Sequence, residues 1–354
     1  MKFSSYQLAG LALAVAGSAH AGLVDTSTAE LEPLVVVGAP SSTGIAGALP
    51  YLDLGHDQYT GTVQLQSNGS RYCTGSLLAS GRHILTAAHC VTDDAGNVLP
   101  SFANDSIQFD GPNGSVDIGF AGVAVHEGWT FDYAGNGNDV AIITLHTAAP
   151  TWANRYDLYT GDAIGQDYTR VGYGGFGWGD VGAQYGGITG ADGNLLRVFG
   201  SNHFDSDNYA LCYMLGYNCE GGQVLTSDFD NPFNSANDLW GNLFLNYDGG
   251  NTAYVHGATG MEVNSAPGDS GGTVLVNGQL AGLTSYGFTL GCRLFDANCT
   301  TRGRALNSSW GEGAVDTSVA YHYDWISAHA VPAPEALALM GFGLLGFGMM
   351  RRRK

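Results

Sequence analysis

Three short segments, far apart in the chain, carry the side chains that acyl transfer requires. The run A-P-G-D-S-G-G places Ser270 among glycines, which leave room for backbone N–H groups around its hydroxyl. The run T-A-A-H-C supplies the imidazole of His89, and N-D-V-A supplies the carboxylate of Asp139. A serine hydroxyl is a poor nucleophile until an imidazole takes its proton, and the imidazole needs a carboxylate to fix its tautomer. These residue types therefore predict nucleophilic catalysis.

The three motifs, in the order His, Asp, Ser, resemble those of the trypsin/chymotrypsin-like (S1) serine proteases. The resemblance implies a serine endopeptidase in which His89 is the general base, Asp139 orients it and Ser270 attacks the peptide bond. The backbone N–H groups of Gly268 and Ser270 are then expected to form the oxyanion hole. The resemblance implies a protein or peptide substrate, with no organic cofactor and no catalytic metal.

Short strands must position these residues. Segments of alternating polarity, bounded by Gly, Asn and Ser, predict a strand-rich chain. The strands are expected at residues 62–66, 76–78, 83–86, 106–109, 116–125, 140–145, 169–174, 273–276 and 279–287. The resemblance implies an all-β, chymotrypsin-like fold of two six-stranded antiparallel β-barrels, with a closing helix within residues 314–326. Barrel one is expected at about 45–160 and barrel two at about 161–330 of a peptidase domain.

Residues 175–260 depart from the family pattern and are rich in Gly, Asn and Asp. We interpret them as long surface loops around the cleft. Within them, Asp205-Ser206-Asp207-Asn208 offers oxygen ligands for a structural calcium ion. Solvated turns are the favoured interpretation, because no complete twelve-residue calcium loop is present.

The resemblance also assigns the substrate-binding residues. Ser285 and Gly287, in a segment similar to the family's G-I-V-S-W-G strand, are expected to bind the substrate backbone as an added strand. Asn264, six residues before the nucleophile, is expected at the floor of the specificity pocket. A neutral floor does not predict the strong preference for Arg or Lys that a floor aspartate confers. Asp316 falls near the same pocket and is a second candidate for a cation preference.

The first 44 residues read as export and processing segments. Residues 1–21 have a positive start, a short apolar run and an A-H-A cleavage site, which predict a signal peptide removed by signal peptidase. Residues 22–44 are interpreted as an N-terminal extension or propeptide. In the family, a new amino terminus pairs with the aspartate before the nucleophile, which is Asp269 here. The nearest match to the family's I-V-G-G terminus is G-I-A-G at residues 44–47.

The C-terminal residues 331–354 form a tail of distinct composition. V-P-A-P-E is followed by fifteen uncharged, mostly apolar residues and then by R-R-R-K. This tail resembles the PEP-CTERM sorting signals of Gram-negative bacteria, which are cut by a membrane-embedded exosortase. A plain membrane anchor is the alternative, but fifteen residues are short for a permanent span. We expect a short hydrophobic transmembrane helix that contacts the inner membrane transiently, and a product that is secreted or held at the cell surface.

Six cysteines in an exported chain predict three disulfides, and six cysteines allow fifteen pairings. The spacings suggest Cys73–Cys90, Cys212–Cys219 and Cys292–Cys299, of which the first matches the family's bridge beside the histidine. Metal binding is the less favoured alternative, since none of the cysteines has C-x-x-C spacing.

The charge of the chain excludes nucleic acid as a partner. The full chain carries −19, and residues 22–330 hold eight arginines, no lysine and 31 acidic residues. Such an acidic surface repels phosphate and attracts cations. The alternative to an enzyme is a catalytically silent, surface-associated binding or matrix protein on a protease fold. The presence of all three residues, His89, Asp139 and Ser270, argues against that alternative.

Overall fold

Short β-strands make up most of the ordered elements, as expected from the many alternating segments between glycine and asparagine turns. The computed structural model describes residues 34–99, 104–130, 137–207, 221–244, 259–289, 296–297 and 306–330. The strands are β1 (Leu34–Val37), β2 (Thr62–Ser67), β3 (Ser70–Leu77), β4 (His83–Thr86), β5 (Asp105–Gly111), β6 (Gly114–Val125), β7 (Ala141–Leu145), β8 (Asp167–Gly172), β9 (Phe176–Trp178), β10 (Gly182–Tyr185), β11 (Val198–His203), β12 (Ser206–Asp207), β13 (Val224–Asp228), β14 (Val263–Ala266), β15 (Thr273–Val276), β16 (Gln279–Phe288) and β17 (Gly313–Ser318). The helices are α1 (Gly44–Ala48), α2 (Leu239–Phe244) and α3 (Tyr323–His329).

Six strands of the first half close into a barrel in the order β2-β3-β4-β7-β6-β5. Asn68 and Gly69 join β2 to β3 with φ angles of 51° and 75°, the left-handed values that a two-residue hairpin turn needs. The strands predicted in this half are confirmed, since each falls on a strand of the barrel. Alternation of the side chains sends one face of every strand inward, and a closed barrel leaves no edge exposed.

The interior of this barrel is almost wholly apolar. Its core includes Val63, Leu65, Leu77, Ile84, Ile107, Phe109, Ile118, Phe120, Ala141, Ile143 and Leu145. The disulfide between Cys73 and Cys90 lies in the same core, with an S–S distance of 2.03 Å, and ties β3 to the turn after β4. Cys212, Cys219, Cys292 and Cys299 lie outside the described residues, so their pairing stays a prediction.

The second half is a curled, open sheet in place of the second closed six-stranded barrel that we expected. Seven strands follow the order β11-β8-β15-β16-β17-β13-β12, and a separate four-stranded sheet has the order β10-β9-β1-β14. The sheet does not close because β14, which leads to the nucleophile loop, pairs with β1 and not with the seven-stranded sheet. Since Val36 and Val37 of β1 are fully buried, part of the predicted extension at residues 22–44 belongs to the folded body.

The sequence interpretation of residues 175–260 was wrong. Residues 175–260 do not form only surface loops, because the described part contains β9 to β13 and α2 and buries Phe176, Val198, Phe204, Phe229 and Trp240. The sequence analysis did not assign these apolar residues to strands, because the abundant Gly, Asn and Asp residues around them are typical of loops.

The closing helix begins later than expected. Residues 313–318 are strand β17, whose alternating A-V-D-T-S segment suits a sheet, and the helix follows as α3. No helix within the described ranges has the length and hydropathy to cross a bilayer. The predicted signal peptide, residues 1–21, and the predicted tail, residues 331–354, lie outside those ranges.

Candidate active site

The carboxylate and the imidazole come from neighbouring strand ends of the closed barrel. His89 lies in a 3-10 turn directly after β4, and Asp139 lies shortly before β7. Because β4 and β7 are antiparallel, with Thr86 opposite Ala141, the two residues meet at one rim of the barrel. Nδ1 of His89 lies 2.7 Å from Oδ2 of Asp139, and the backbone N–H of His89 donates to Oδ1 at 2.9 Å. The carboxylate therefore holds both the ring and its backbone.

A third donor reaches Asp139 from the second half. The Ser285 hydroxyl donates to Oδ2 of Asp139 at 2.6 Å. The pairing of β16 with β17 is irregular between Thr284 and Tyr286, which makes Ser285 the extra residue of a bulge. Asp139 is only 2% exposed, so its buried charge depends on these three hydrogen bonds. The orientation of the imidazole thus depends on both halves of the molecule.

The loop that carries Ser270 packs against β3 and against the residues on either side of His89. The Ser270 carbonyl accepts a hydrogen bond from the Thr74 N–H at 2.9 Å, and it lies 3.6 Å from Cys90 Sγ. A Cβ on Gly271 would stand 2.1 Å from the Thr86 hydroxyl, and Gly271 has a φ of 74°. Only glycine allows this close approach together with this backbone conformation.

The Ser270 hydroxyl itself makes no hydrogen bond with any described residue. Hydrogen bonds between a nucleophile and its base are often long in the absence of substrate and shorten when substrate binds. Within the described part of the chain, the backbone N–H groups of Gly268 and Ser270 also donate to no acceptor. The predicted oxyanion donors are therefore not engaged by any acceptor among the residues that the structure describes.

Arg71 was missed by the sequence analysis, and it covers the nucleophile loop. Its Nη1 would lie 1.5 Å from a Cβ on Gly268, and its Nη2 donates to the Gly186 carbonyl at 2.7 Å. Gly268 also has a φ of 97°. A side chain at this position is therefore excluded both by the contact with Arg71 and by the backbone conformation. Its place near the start of a predicted strand, two residues before Cys73, gave no sequence signal for this contact of Arg71.

Asp269 is enclosed by the glycines of the segment after β8. The N–H groups of Gly174 and Ala266 donate to its two carboxylate oxygens at 2.7 and 2.8 Å. A Cβ on Gly172 would lie 1.9 Å from Asp269 Oδ1. Burial raises the pKa of Asp269 to about 7, while Arg71 acts in the opposite direction.

Pairing of Asp269 with a new amino terminus stays a prediction, because the structure is that of the uncleaved chain. In this chain residues 44–47 lie in α1, and Ile45 is 52% exposed. The strand before it, β1, instead runs along β14, with Leu34 opposite Ala266. The apolar run V-V-V-G at 35–38 was the sequence signal for this strand.

The predicted substrate-binding residues lie along β14 and β16. The pairing of β15 with β16 ends at Leu283, so the part of β16 that holds Ser285 and Gly287 has one edge unpaired among the described strands. Asn264, on β14, is 2% exposed, and its Oδ1 accepts from the Ser265 N–H at 2.9 Å. The structure thus places Ser285 and Gly287 on one unpaired edge and Asn264 on a different strand.

Asp316 is not a free pocket carboxylate. Its two oxygens accept hydrogen bonds from Arg170 Nη1 and Nη2 at 2.8 and 2.7 Å, and both side chains are buried. Because the Arg170 guanidinium compensates the negative charge of Asp316, this carboxylate does not supply the preference for cationic substrates that the sequence suggested.

Two groups of side chains in the described residues have the proximity of metal ligands. Cys73, His89 and Cys90 form the first, but the two cysteines are joined in the disulfide and cannot bind as thiolates. Asp228, Asp230 and Asp238 form the second, which lies in the second half of the molecule.

The closed six-stranded barrel, the curled second sheet and the C-terminal helix together define a chymotrypsin-like fold. Residues 53–182 match the family model described as Trypsin, a range that includes His89 and Asp139 and ends before Ser270. Among solved structures, the chain is similar to mouse neuropsin, a serine protease expressed in the limbic system of the brain. The TM-score is 0.50 at 17% identity, over 77% of this chain and 95% of that chain. The structural likeness agrees with the fold, and the family match supports a protease function.

Proposed function

We propose that the protein is an exported serine endopeptidase with His89, Asp139 and Ser270 as its catalytic triad. The observation that carries the proposal is the carboxylate of Asp139, which bonds the His89 ring at 2.7 Å and Ser285 at 2.6 Å. The loop of Ser270 is tied to the residues around His89 by its own backbone. This arrangement supports nucleophilic attack by serine on an acyl group.

In the proposed reaction, the Ser270 oxygen attacks the substrate carbonyl while Nε2 of His89 takes its proton. The hydrogen bond from His89 Nδ1 to Asp139 stabilises the imidazolium that forms. The N–H groups of Gly268 and Ser270 stabilise the negative oxygen of the tetrahedral intermediate. The imidazolium then protonates the leaving amine, and water releases the acyl group from Ser270 by the same steps in reverse.

The substrate is proposed to add as a strand to the unpaired edge of β16, at Ser285 and Gly287. Asn264 is proposed to contact the side chain before the cleaved bond. With Asp316 paired to Arg170, we expect no strong preference for substrates with Arg or Lys at that position.

Export rests on the sequence alone. The proposed route uses a signal peptide at residues 1–21 and a PEP-CTERM-type tail at residues 331–354. Signal peptidase and an exosortase-type enzyme are then the processing partners, and the product is secreted or displayed at the surface.

A fluorophosphonate probe tests the proposal, because it phosphonylates an activated serine oxygen and releases fluoride. We expect labelling of the mature protein at Ser270 and none in the Ser270→Ala variant, whose peptidase activity should fall by about 10⁴-fold or more. Ser70→Ala, at an exposed position on β3, is the control and should label normally. Absence of labelling in correctly processed, folded protein would contradict the proposal and favour the binding or matrix protein.

A further inference from the structure

A cluster of carboxylates lies in the second half, away from the triad. Asp228 ends β13, Asp230 follows two residues later, and Asp238 directly precedes α2. One oxygen from each of these three residues lies within 4.8 Å of the others. Asp205 and Glu262 adjoin them, since Asp205 Oδ2 accepts from the Asp228 N–H and Glu262 Oε1 accepts from the Asp230 N–H. We refer to Asp228, Asp230 and Asp238 as the aspartate cluster.

The oxygens of the cluster are only partly satisfied by the protein. Asp228 Oδ2 accepts from the Trp240 N–H at 2.8 Å, and Asp238 Oδ1 accepts from the Gly241 N–H at 2.5 Å. Oδ1 of Asp230 is buried and has no hydrogen-bond partner among the described residues, although Asp230 is only 4% exposed. A buried carboxylate oxygen without a partner is destabilising unless something else binds it.

Among the described residues, no arginine, lysine or histidine forms an ion pair with Asp228, Asp230 or Glu262. In the described part of this half, the two buried arginines are paired with other carboxylates, Arg170 with Asp316 and Arg197 with Asp53.

We propose that the aspartate cluster is a binding site for a divalent cation, and that the cation is calcium. Calcium binds carboxylate oxygens at about 2.3–2.6 Å, so one ion can join oxygens that are up to about 5 Å apart. Magnesium requires octahedral geometry, keeps several waters and is usually bound by only one or two carboxylates, whereas calcium takes six to eight oxygen ligands in flexible geometry. Three aspartates that can each offer one oxygen to the same point therefore fit calcium better. Asp238 is half-buried, which gives the ion and its waters access from solvent.

The site supports the strand that leads to the nucleophile loop. Glu262, which accepts from the Asp230 N–H at 2.7 Å, also accepts from the Gly38 N–H through its carbonyl at 2.8 Å. The next residue begins β14, which carries Asn264. An ion that neutralises the aspartate cluster thus stabilises the contact between β13, β1 and β14. The proposal extends the expected calcium ligands at 205–208, of which Asp205 adjoins the cluster.

Thermal unfolding of the full, chelator-treated protein tests the site. About 1 mM CaCl2 should raise the Tm by about 5 °C, since a ligand that binds only the folded state stabilises it. In Asp230→Asn, the calcium-dependent shift should be lost, while the Tm without calcium should be no lower than that of the wild type. Asp117→Asn, at an exposed position on β6, is the matched control and should keep the full shift.

Terbium luminescence gives a second readout, because the Trp240 backbone contacts Asp228 and its indole can sensitise a bound lanthanide. TbCl3 should give a saturable signal that CaCl2 displaces, with at least about tenfold weaker affinity in Asp230→Asn. If Asp230→Asn does not fold, the half-buried Asp238→Asn provides the same comparison.

A calcium shift that is absent in the wild type, or unchanged in both variants, would overturn the site. An equal shift with MgCl2 at the same concentration would overturn the choice of calcium. Neither readout involves hydrolysis, so the result is independent of the proposed protease function.

Discussion

The two halves of the molecule have interiors of different composition: one is mainly apolar, and the other also contains charged side chains. The closed barrel buries aliphatic and aromatic side chains such as Leu65 and Phe109. The second half is an open sheet that also buries ion pairs, among them Arg170 with Asp316, and the aspartate cluster. A closed barrel satisfies its own backbone, whereas an open sheet leaves edges and long connections that require polar partners.

This difference matters for the candidate site, because each half supplies a different part of it. The apolar barrel holds His89 and Asp139 at one rigid rim. The second half supplies Ser285 and the loop of Ser270. Ser285 is held by its hydrogen bond to the buried Asp139 carboxylate, and the Ser270 loop is held by glycines in close contact with neighbouring residues. The stability of the second half should therefore be sensitive to charge and shape, and that of the first to buried volume.

The largest expected effect comes from breaking the buried ion pair of the second half. Arg170→Met leaves Asp316 buried without its bidentate partner, which should lower the free energy of unfolding by about 4 kcal/mol. Urea unfolding measures the loss. The double variant Arg170→Met/Asp316→Leu should regain most of it, because no charge remains buried. If the double variant is no more stable than the single variant, the unpaired charge of Asp316 is not the cause of the loss in stability.

A smaller effect is expected from the close contact beside the nucleophile loop. Gly172→Ala would place a methyl group 1.9 Å from the Asp269 carboxylate, and we expect a loss of about 3 kcal/mol in unfolding free energy. Peptidase activity should fall as well, because Asp269 directly precedes Ser270. Gly186→Ala, where a Cβ meets nothing within 4 Å, is the control and should unfold like the wild type. Equal unfolding free energies of the two variants would refute the steric argument.

The smallest effect concerns pH at the seam between the halves. Burial lowers the pKa of His322 to about 4 from 6.5, and the His126 ring 5.2 Å away acts in the same direction, whereas Asp139 and the Ser318 carbonyl oppose it. Because the folded pKa lies below the unfolded one, stability is complete above pH 6.5 and is lost as the pH falls towards 4. Between pH 7 and pH 5, this histidine should cost about 2 kcal/mol.

The measurement compares unfolding free energies at these two pH values in the wild type and in His322→Gln. The variant should lose about 2 kcal/mol less on acidification. His146→Gln, at an exposed position, is the control. A variant with the same pH dependence as the wild type would show that His322 does not contribute to it.

Much of the fold was predictable because strand signals are local. Alternation and asparagine-glycine turns placed the barrel strands and the hairpin at Asn277 correctly. The prediction failed where partners are distant in sequence. The valines of β1 were assigned to an extension, because nothing local indicates that they pair with β14.

The sequence by itself determined which chemistry is available, because Ser270, His89 and Asp139 stand in motifs whose residue types and order are readable without a fold. It also determined the acidic character of the chain and the alternation that builds the barrel. Only the tertiary structure decided where charges are compensated. It paired Asp316 with Arg170, brought Ser285 to Asp139 and gathered three aspartates around one point. The physical reason is that electrostatic and steric contacts depend on distances in space, which a linear sequence does not contain.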